Sequence, residues 1–90
     1  METALVPTGK IVLTRTAWAE LAWPDVAAAL KRHIQGDWGD LDEDDKAQND
    51  RSLQRGCRLL SAYRDAQGTV FWIITEADRS VTTVMLPGEY

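Results

Sequence analysis

The sequence predicts one α+β domain, in which an N-terminal strand and two to three helices precede a three-stranded antiparallel meander that packs on the helices. Three observations predict it: a short β-rich run at 10–14, apolar residues at helical spacing between 16 and 55, and β-rich runs joined by short loops after Gly56. A chain of 90 residues buries one core only, so residues 1–90 form a single domain.

The first half of the chain carries clear helix boundaries. The strand at 10–14 is expected at an edge of the sheet. Thr16 is expected to cap a short helix carrying Trp18, and Pro24 suits the first turn of a second helix, which ends before Gly36. Four tryptophans in so short a chain are many, and at least one of them is expected at a site or an interface.

A third helix is predicted from Asp42, a good N-cap, to Arg55, with Gly56 as its stop. Its start lies in an acidic stretch, since residues 37–50 hold seven acidic side chains against one basic side chain. This stretch is either a solvated helix start, where the helix dipole favours acids, or a patch that binds a partner or mimics nucleic acid. Because the net charge is −4, binding of nucleic acid through the overall charge of the protein is not favoured.

Strands at 57–64, 69–75 and 81–86 form the predicted meander, with loops at 65–68 and 76–80. These loop lengths place Thr75 opposite Arg58 and Val81. One sheet face then forms the core and carries Leu59, Tyr63, Val70, Trp72, Ile74, Val84 and Leu86. The other face is expected to be an open binding face, with Arg58, Arg64, Thr69, Phe71, Ile73, Thr75, Val81 and Thr83.

Several classes of protein are not indicated. The single cysteine, Cys57, forms no internal disulfide and is expected to be an inert buried thiol. The first 15 residues lack the apolar segment of a signal peptide, and the longest apolar run, 70–74, is far too short for a membrane span. We therefore expect a cytoplasmic protein without membrane contact. No cofactor motif is present and His33 is the only histidine, so neither cofactor nor metal is expected.

His33 and the loop after it are the first candidate site. His33 near a helix C-terminus is either a structural histidine that bonds the loop Gly36–Gly39 or a general acid or base. In that loop Asp37 and Trp38 are candidate binding residues. Trp38 is either a core plug or a platform on which a base stacks, a role that Tyr63 also suits.

The second candidate site is the hairpin from Thr75 to Thr83. Arg58, Arg64 and Arg79 are the best anion-binding candidates, although Arg58 is alternatively a surface strand residue and Arg79 a turn residue. Hydroxyl side chains are concentrated beside Arg79, at Thr75, Ser80, Thr82 and Thr83, which fits either turn and strand chemistry or the binding of a phosphate. Whether His33 and this hairpin form one site depends on their distance.

Four motifs resemble a family of uncharacterised proteins of about the same length that are found on plasmids, integrative elements and prophages. They are HxxGDWG at 33–39, LSxY at 60–63, WIITEADRSVTT at 72–83 and LPxEY at 86–90. Members of that family are sometimes labelled as a type I restriction methyltransferase subunit, for which this chain is too short. The resemblance implies a mobile-element context.

The order of elements is also similar to that of the RelE toxins and barnase-like ribonucleases, which cut RNA without metal. That resemblance implies a catalytic set of His33, Arg58, Thr75 and Thr83, with Tyr63 stacking a base. Two hypotheses follow. The first is a mobile-element accessory protein that acts by protein–protein interaction, as inhibitor or regulator of a host defence or nucleic-acid-processing complex. The second is a metal-independent ribonuclease. The chain is expected to be a monomer or a homodimer.

Overall fold

The protein, described by a computed structural model over residues 5–89, has the predicted α+β architecture. The elements in chain order are listed here: β1 (Lys10–Leu13), α1 (Arg15–Glu20), α2 (Trp23–Ile34), α3 (Glu43–Arg55), β2 (Leu59–Arg64), β3 (Val70–Thr75), β4 (Val81–Met85) and a short 3-10 helix (Pro87–Glu89). The predicted order of strand, helices and meander is therefore confirmed.

The sheet has four strands in the order β1-β4-β3-β2, and its last three strands form the predicted antiparallel meander. β1 pairs with β4 in parallel, so the sheet is mixed and larger than the predicted meander by one strand. A parallel pair needs a long crossover connection, which the helices and the first two strands of the meander provide. β1 lies at an edge, as expected.

The predicted register was wrong by one residue in both hairpins. Thr75 pairs with Leu59 and Thr82, where Arg58 and Val81 were expected. Each loop holds one residue more than assumed. In the first loop the Asp65 carboxylate accepts hydrogen bonds from the backbone N–H groups of Gln67 and Thr69, and in the second Arg79 adopts a left-handed conformation with φ of 61°.

This shift reverses the faces of β3. Phe71, Ile73 and Thr75 point into the core, and Ile74 pairs with Thr83 on the other face. The main core cluster joins these strands to the first two helices. Its buried members are Ala17, Leu21, Val26, Ala29, Leu30, Tyr63, Phe71, Ile73 and Val84. Three residues of the predicted open binding face, all of them on β3, therefore lie on the core face.

The helix ends follow the predicted chemistry with one correction. α1 is capped by Thr14, whose hydroxyl accepts from the Ala17 N–H at 3.1 Å, and Thr16 lies inside the helix. Asp42 caps α3 through the Asp45 N–H at 2.8 Å, and Gly56 ends that helix in a left-handed conformation. Both α3 assignments confirm the prediction.

A second, smaller core cluster holds Val6, Trp38 and Leu59 between α3 and the sheet. Beside it, the outer edge of β2 is covered. Gly39 forms a bridge with Ala62, where a Cβ atom would collide with the Ala62 carbonyl. The Asn49 side chain of α3 exchanges two hydrogen bonds with the backbone of Leu60. The other edge of the sheet is β1, which no strand within residues 5–89 covers.

Cys57 is exposed, so the expectation of a buried thiol was wrong; it lies in the short turn between α3 and β2, where no core forms around it. Within residues 5–89, no helix combines the length and the apolar character that crossing a bilayer requires.

Candidate functional site

His33 lies at the centre of a buried chain of hydrogen bonds. Its Nδ1 is 2.5 Å from Ser61 Oγ on β2, and its Nε2 is 2.8 Å from Thr75 Oγ1 on β3. The Thr75 hydroxyl is in turn 2.8 Å from that of Thr82 on β4, and Thr82 donates to the carbonyl of Thr8 at 2.8 Å. This series of hydrogen bonds therefore connects α2 to three strands and to the segment before β1.

The last acceptor fixes the direction of three of the four bonds. The Thr8 carbonyl only accepts, so Thr82 donates to it and receives its own hydrogen bond from Thr75. Thr75 then accepts from His33 Nε2–H. At the fourth bond Nδ1 is assigned as the acceptor of the Ser61 hydroxyl, which makes His33 a neutral imidazole with its proton on Nε2.

Burial supports this assignment. The side chain of His33 is fully buried, and burial, together with the positive charge of Arg79, lowers the pKa of His33 from 6.5 to about 4. A general acid or base needs a pKa near the working pH and a path to substrate. His33 has neither. Its hydrogen-bond partners are Ser61 and Thr75. For a structural histidine the expected partner had been the loop Gly36–Gly39.

The structure brings only two of the four predicted catalytic residues together. His33 and Thr75 are in direct contact, but Thr83 lies on the opposite sheet face. Arg58 is exposed and lines a separate cavity of about 410 Å³ between α3 and the start of β2. Neither His33 nor Thr75 lines that cavity, so the four side chains share no cleft.

Arg79 and Ser80 serve the hairpin. The Arg79 guanidinium donates to the carbonyls of Cys57 at 2.7 Å and Glu76 at 3.1 Å, which holds the β3–β4 loop against the end of α3. The Ser80 N–H donates to the Asp78 carboxylate, and its carbonyl accepts from the Lys10 N–H. These contacts agree with one of the two hypotheses from the sequence, in which Arg79 and Ser80 are turn residues that bond within and beside the hairpin loop.

The loop residues Asp37 and Trp38, and Tyr63 on β2, are also bound internally. Asp37 forms an ion pair with Arg32 at 2.8 Å, which lowers the pKa of Asp37, and its carbonyl accepts from the Tyr63 hydroxyl at 2.7 Å. Burial raises the pKa of Tyr63. Trp38 is 3 % exposed, and its indole N–H donates to Asp50 at 2.9 Å. Trp38 is therefore the core plug, with no face free to stack a base.

A different surface carries large exposed apolar side chains around a pocket. Leu13, Trp18, Leu21, Trp23 and Val26 line an apolar pocket of about 190 Å³, called the tryptophan surface below. Trp18 is 71 % exposed and Trp23 is 53 % exposed, although both are large and apolar. The surface lies where α1 turns into α2, next to the open edge strand β1.

Why these two indoles face solvent follows from local structure. In α1 the buried positions are Ala17 and, just after the helix, Leu21, which leaves Trp18 on the outer side. Trp23 is the first residue of α2 and precedes Pro24, so it stands at the open end of the helix. Sequence reasoning expected one tryptophan at a site but did not identify which. The tryptophan-rich segment around Pro24 was the available signal.

Ser61 was also missed, because a serine inside a strand carries no sequence signal for a buried histidine partner. Among residues 5–89, no group of three or more histidine, cysteine or acidic side chains is arranged to hold a metal ion. Comparison of the chain with family models, with curated proteins and with solved structures finds no match.

Proposed function

We propose that the chain is a protein-binding accessory protein of a mobile genetic element, which engages its partner through the tryptophan surface. The observation that carries this proposal is the pair of exposed indoles, Trp18 and Trp23, which line one apolar pocket. The partner is part of a host defence or nucleic-acid-processing complex, which the chain inhibits or regulates.

Exposed tryptophans of this kind are typical of interaction hot spots. Tryptophan is enriched among the few residues that carry most of the binding energy of an interface. Each indole that leaves water on binding contributes on the order of 2 kcal/mol. Placing two of them around a pocket concentrates that energy where a partner side chain is enclosed.

The polar candidates give less support to catalysis. His33 is buried and neutral, Arg79 is bound to carbonyl groups, and Thr83 lies on another face. The acidic segment supports the interaction hypothesis less than the tryptophan surface does. The position of Asp42 and of the first-turn acids at the start of α3 is sufficient to explain their presence, because the helix dipole favours acidic side chains there.

The mobile-element context is supported by the motifs at 33–39 and 72–83 that resemble proteins of plasmids, integrative elements and prophages. In the fold, several motif residues hold the core together, among them His33, Trp38 and Thr75. The motifs therefore support a shared fold and context, and the tryptophan surface supports the mode of action.

The proposal is tested by affinity capture from a bacterial host lysate with matched variants. The double variant Trp18→Ser, Trp23→Ser removes both indoles. Leu5→Ser is the control, because Leu5 is an exposed apolar residue, 52 % accessible, whose N–H bonds Ile34 at the other end of α2. We expect the wild type and the control to retain the same stoichiometric protein and the double variant to lose it. Equal capture by all three proteins, or no stable partner, contradicts the proposal.

A further inference from the structure

We infer that β1 and the tryptophan surface together form a groove for an extended peptide that carries one apolar side chain between acidic residues. The peptide adds to the sheet as a fifth strand beside β1, and its apolar side chain enters the pocket between Trp18 and Trp23. This inference rests on the proposed function and names the chemistry of the partner segment.

The backbone of β1 offers the hydrogen bonds that an added strand needs. The N–H of Lys10 donates to Ser80 at 3.0 Å, and that of Thr14 donates to Val84 at 3.1 Å. In a parallel ladder the residues between these positions alternate in direction, so Ile11 and Leu13 turn their N–H and C=O groups away from β4. β1 is the edge of the sheet, and no strand of the described residues lies beyond it. These outward groups accept an extended backbone.

The side chains place an apolar pocket at the right position along that edge. Leu13 both presents outward backbone groups and lines the pocket with Trp18 and Trp23. Ile11 lies on the same sheet face, two residues earlier, and is 44 % exposed. A strand beside β1 repeats this spacing of two. One of its side chains fills the pocket, and the next on that face covers Ile11.

The positively charged residues near β1 determine which residues flank the apolar side chain of the peptide. Lys10, the first residue of β1, and Arg15, the first residue of α1, are exposed and form no ion pair with a described residue. Elsewhere Arg32, Lys46 and Arg64 do have acidic partners. Arg15 also lies one turn before Trp18 on α1. An acidic residue at each end of the peptide therefore meets a cation that has no acidic partner within residues 5–89, although the chain as a whole carries a net charge of −4.

A second copy of the chain fits this groove less well. Pairing of two copies through β1 would place Lys10 and Arg15 of one copy near the same cations of the other, which is repulsive. The acidic residues of this chain are concentrated in residues 37–50, much of which is the helix α3, so they provide no acidic strand.

The inference is tested with a phage-displayed library of random nine-residue peptides, selected on the immobilised wild-type protein. We expect an enriched pattern with one large apolar residue between acidic residues. Synthetic fluorescein-labelled copies of the enriched peptide are then titrated by fluorescence polarisation. The affinity is expected to fall at least tenfold for Trp18→Ser and severalfold for Lys10→Glu, and to stay unchanged for Arg55→Glu, a control at an exposed arginine on α3.

Backbone pairing has its own test. Hydrogen exchange measured by NMR is expected to slow at the amides of Ile11 and Leu13 when the peptide binds, while the already bonded amide of Lys10 changes little. Ile11→Pro removes one outward donor at an edge position, where proline is tolerated, and is expected to weaken binding with little change in melting temperature. The inference is overturned if no peptide is enriched or if the bound peptide protects amides at another surface. It is also overturned if light scattering shows a dimer and the two copies pair through β1.

The two proposals fail separately. If the double variant Trp18→Ser, Trp23→Ser loses the captured host protein while no peptide protects β1, the proposed function stands and the extended-peptide inference falls. If that double variant keeps the host protein, the proposed function falls regardless of the peptide result.

Discussion

His33 Nε2 lies 2.8 Å from Thr75 Oγ1, and this bond joins the C-terminal half of α2 to the middle of the sheet. The two residues are 42 positions apart in the sequence and are both fully buried. A buried polar pair of this kind stabilises the fold only if every member of its network has a partner, and here each one does. The pair therefore acts as a polar connection within the core, and the first predictions concern its stability.

Replacement of Thr75 by valine is expected to lower the free energy of unfolding by about 1–3 kcal/mol. Valine has a similar shape but leaves His33 and Thr82 without their shared hydroxyl in a buried site. Thr83→Val is the matched control, because Thr83 lies on the other face and makes no side-chain hydrogen bond within the described residues. Its effect is expected to stay within about 0.5 kcal/mol. Chemical denaturation measures both, and equal losses would contradict the role of the network.

Acid is expected to destabilise the protein through His33. Its pKa is about 4 in the folded state and 6.5 in the unfolded reference, so between these values the unfolded chain binds a proton that the folded chain does not. The contribution is fully present above pH 6.5 and is lost as the pH falls towards 4. Each pKa unit is worth about 1.4 kcal/mol, which gives a loss of roughly 3 kcal/mol.

The control for this prediction is His33→Gln, which keeps an uncharged polar side chain and cannot be protonated. Carboxylates such as Asp37 and Glu89, whose pKa values are lowered by their partners, titrate in both proteins and cancel in the comparison. We expect the wild type to lose roughly 3 kcal/mol more than the variant between pH 7 and pH 4. Parallel pH profiles of the two proteins would show that His33 is not held neutral by the fold.

RNA is expected to remain intact when it is incubated with the protein in EDTA. The reason is that His33 is enclosed and neutral, and that Arg58 lines a cavity apart from it. Labelled RNA resolved on a denaturing gel provides the measurement, with His33→Gln as the companion protein. Cleavage by the wild type that disappears in a folded His33→Gln sample would favour the ribonuclease hypothesis instead.

The sequence predicted the order of elements because its boundary residues act locally. Asp42 and Gly56 bound α3 through contacts within a few residues, and Pro24 does the same for the start of α2. The hairpin registers were not predictable in this way. One extra residue in each loop depends on the Asp65 hydrogen bonds and on the left-handed conformation of Arg79, which ordinary loop-length rules do not indicate.

The site was harder to predict for the same reason. Slipping the register by one residue moves Thr75 from a supposed open face into the core, where it meets His33. The sequence indicated His33 and Thr75 as candidate site residues, and the structure shows that both are buried and bonded to each other. From composition, at least one tryptophan was expected at a site or an interface. Composition could not indicate which one, because the exposure of Trp18 and Trp23 depends on how α1 and α2 pack.

The most direct test of the central claim is photo-crosslinking in living cells. A photoreactive phenylalanine analogue replaces Trp18 in one protein, Trp23 in a second and Arg55 on exposed α3 in a control. Since the indole positions line the pocket, the account predicts one adduct of the same defined mass at both tryptophan positions and none at Arg55. An adduct at Arg55 alone, or no adduct at either tryptophan position, would contradict binding through the tryptophan surface.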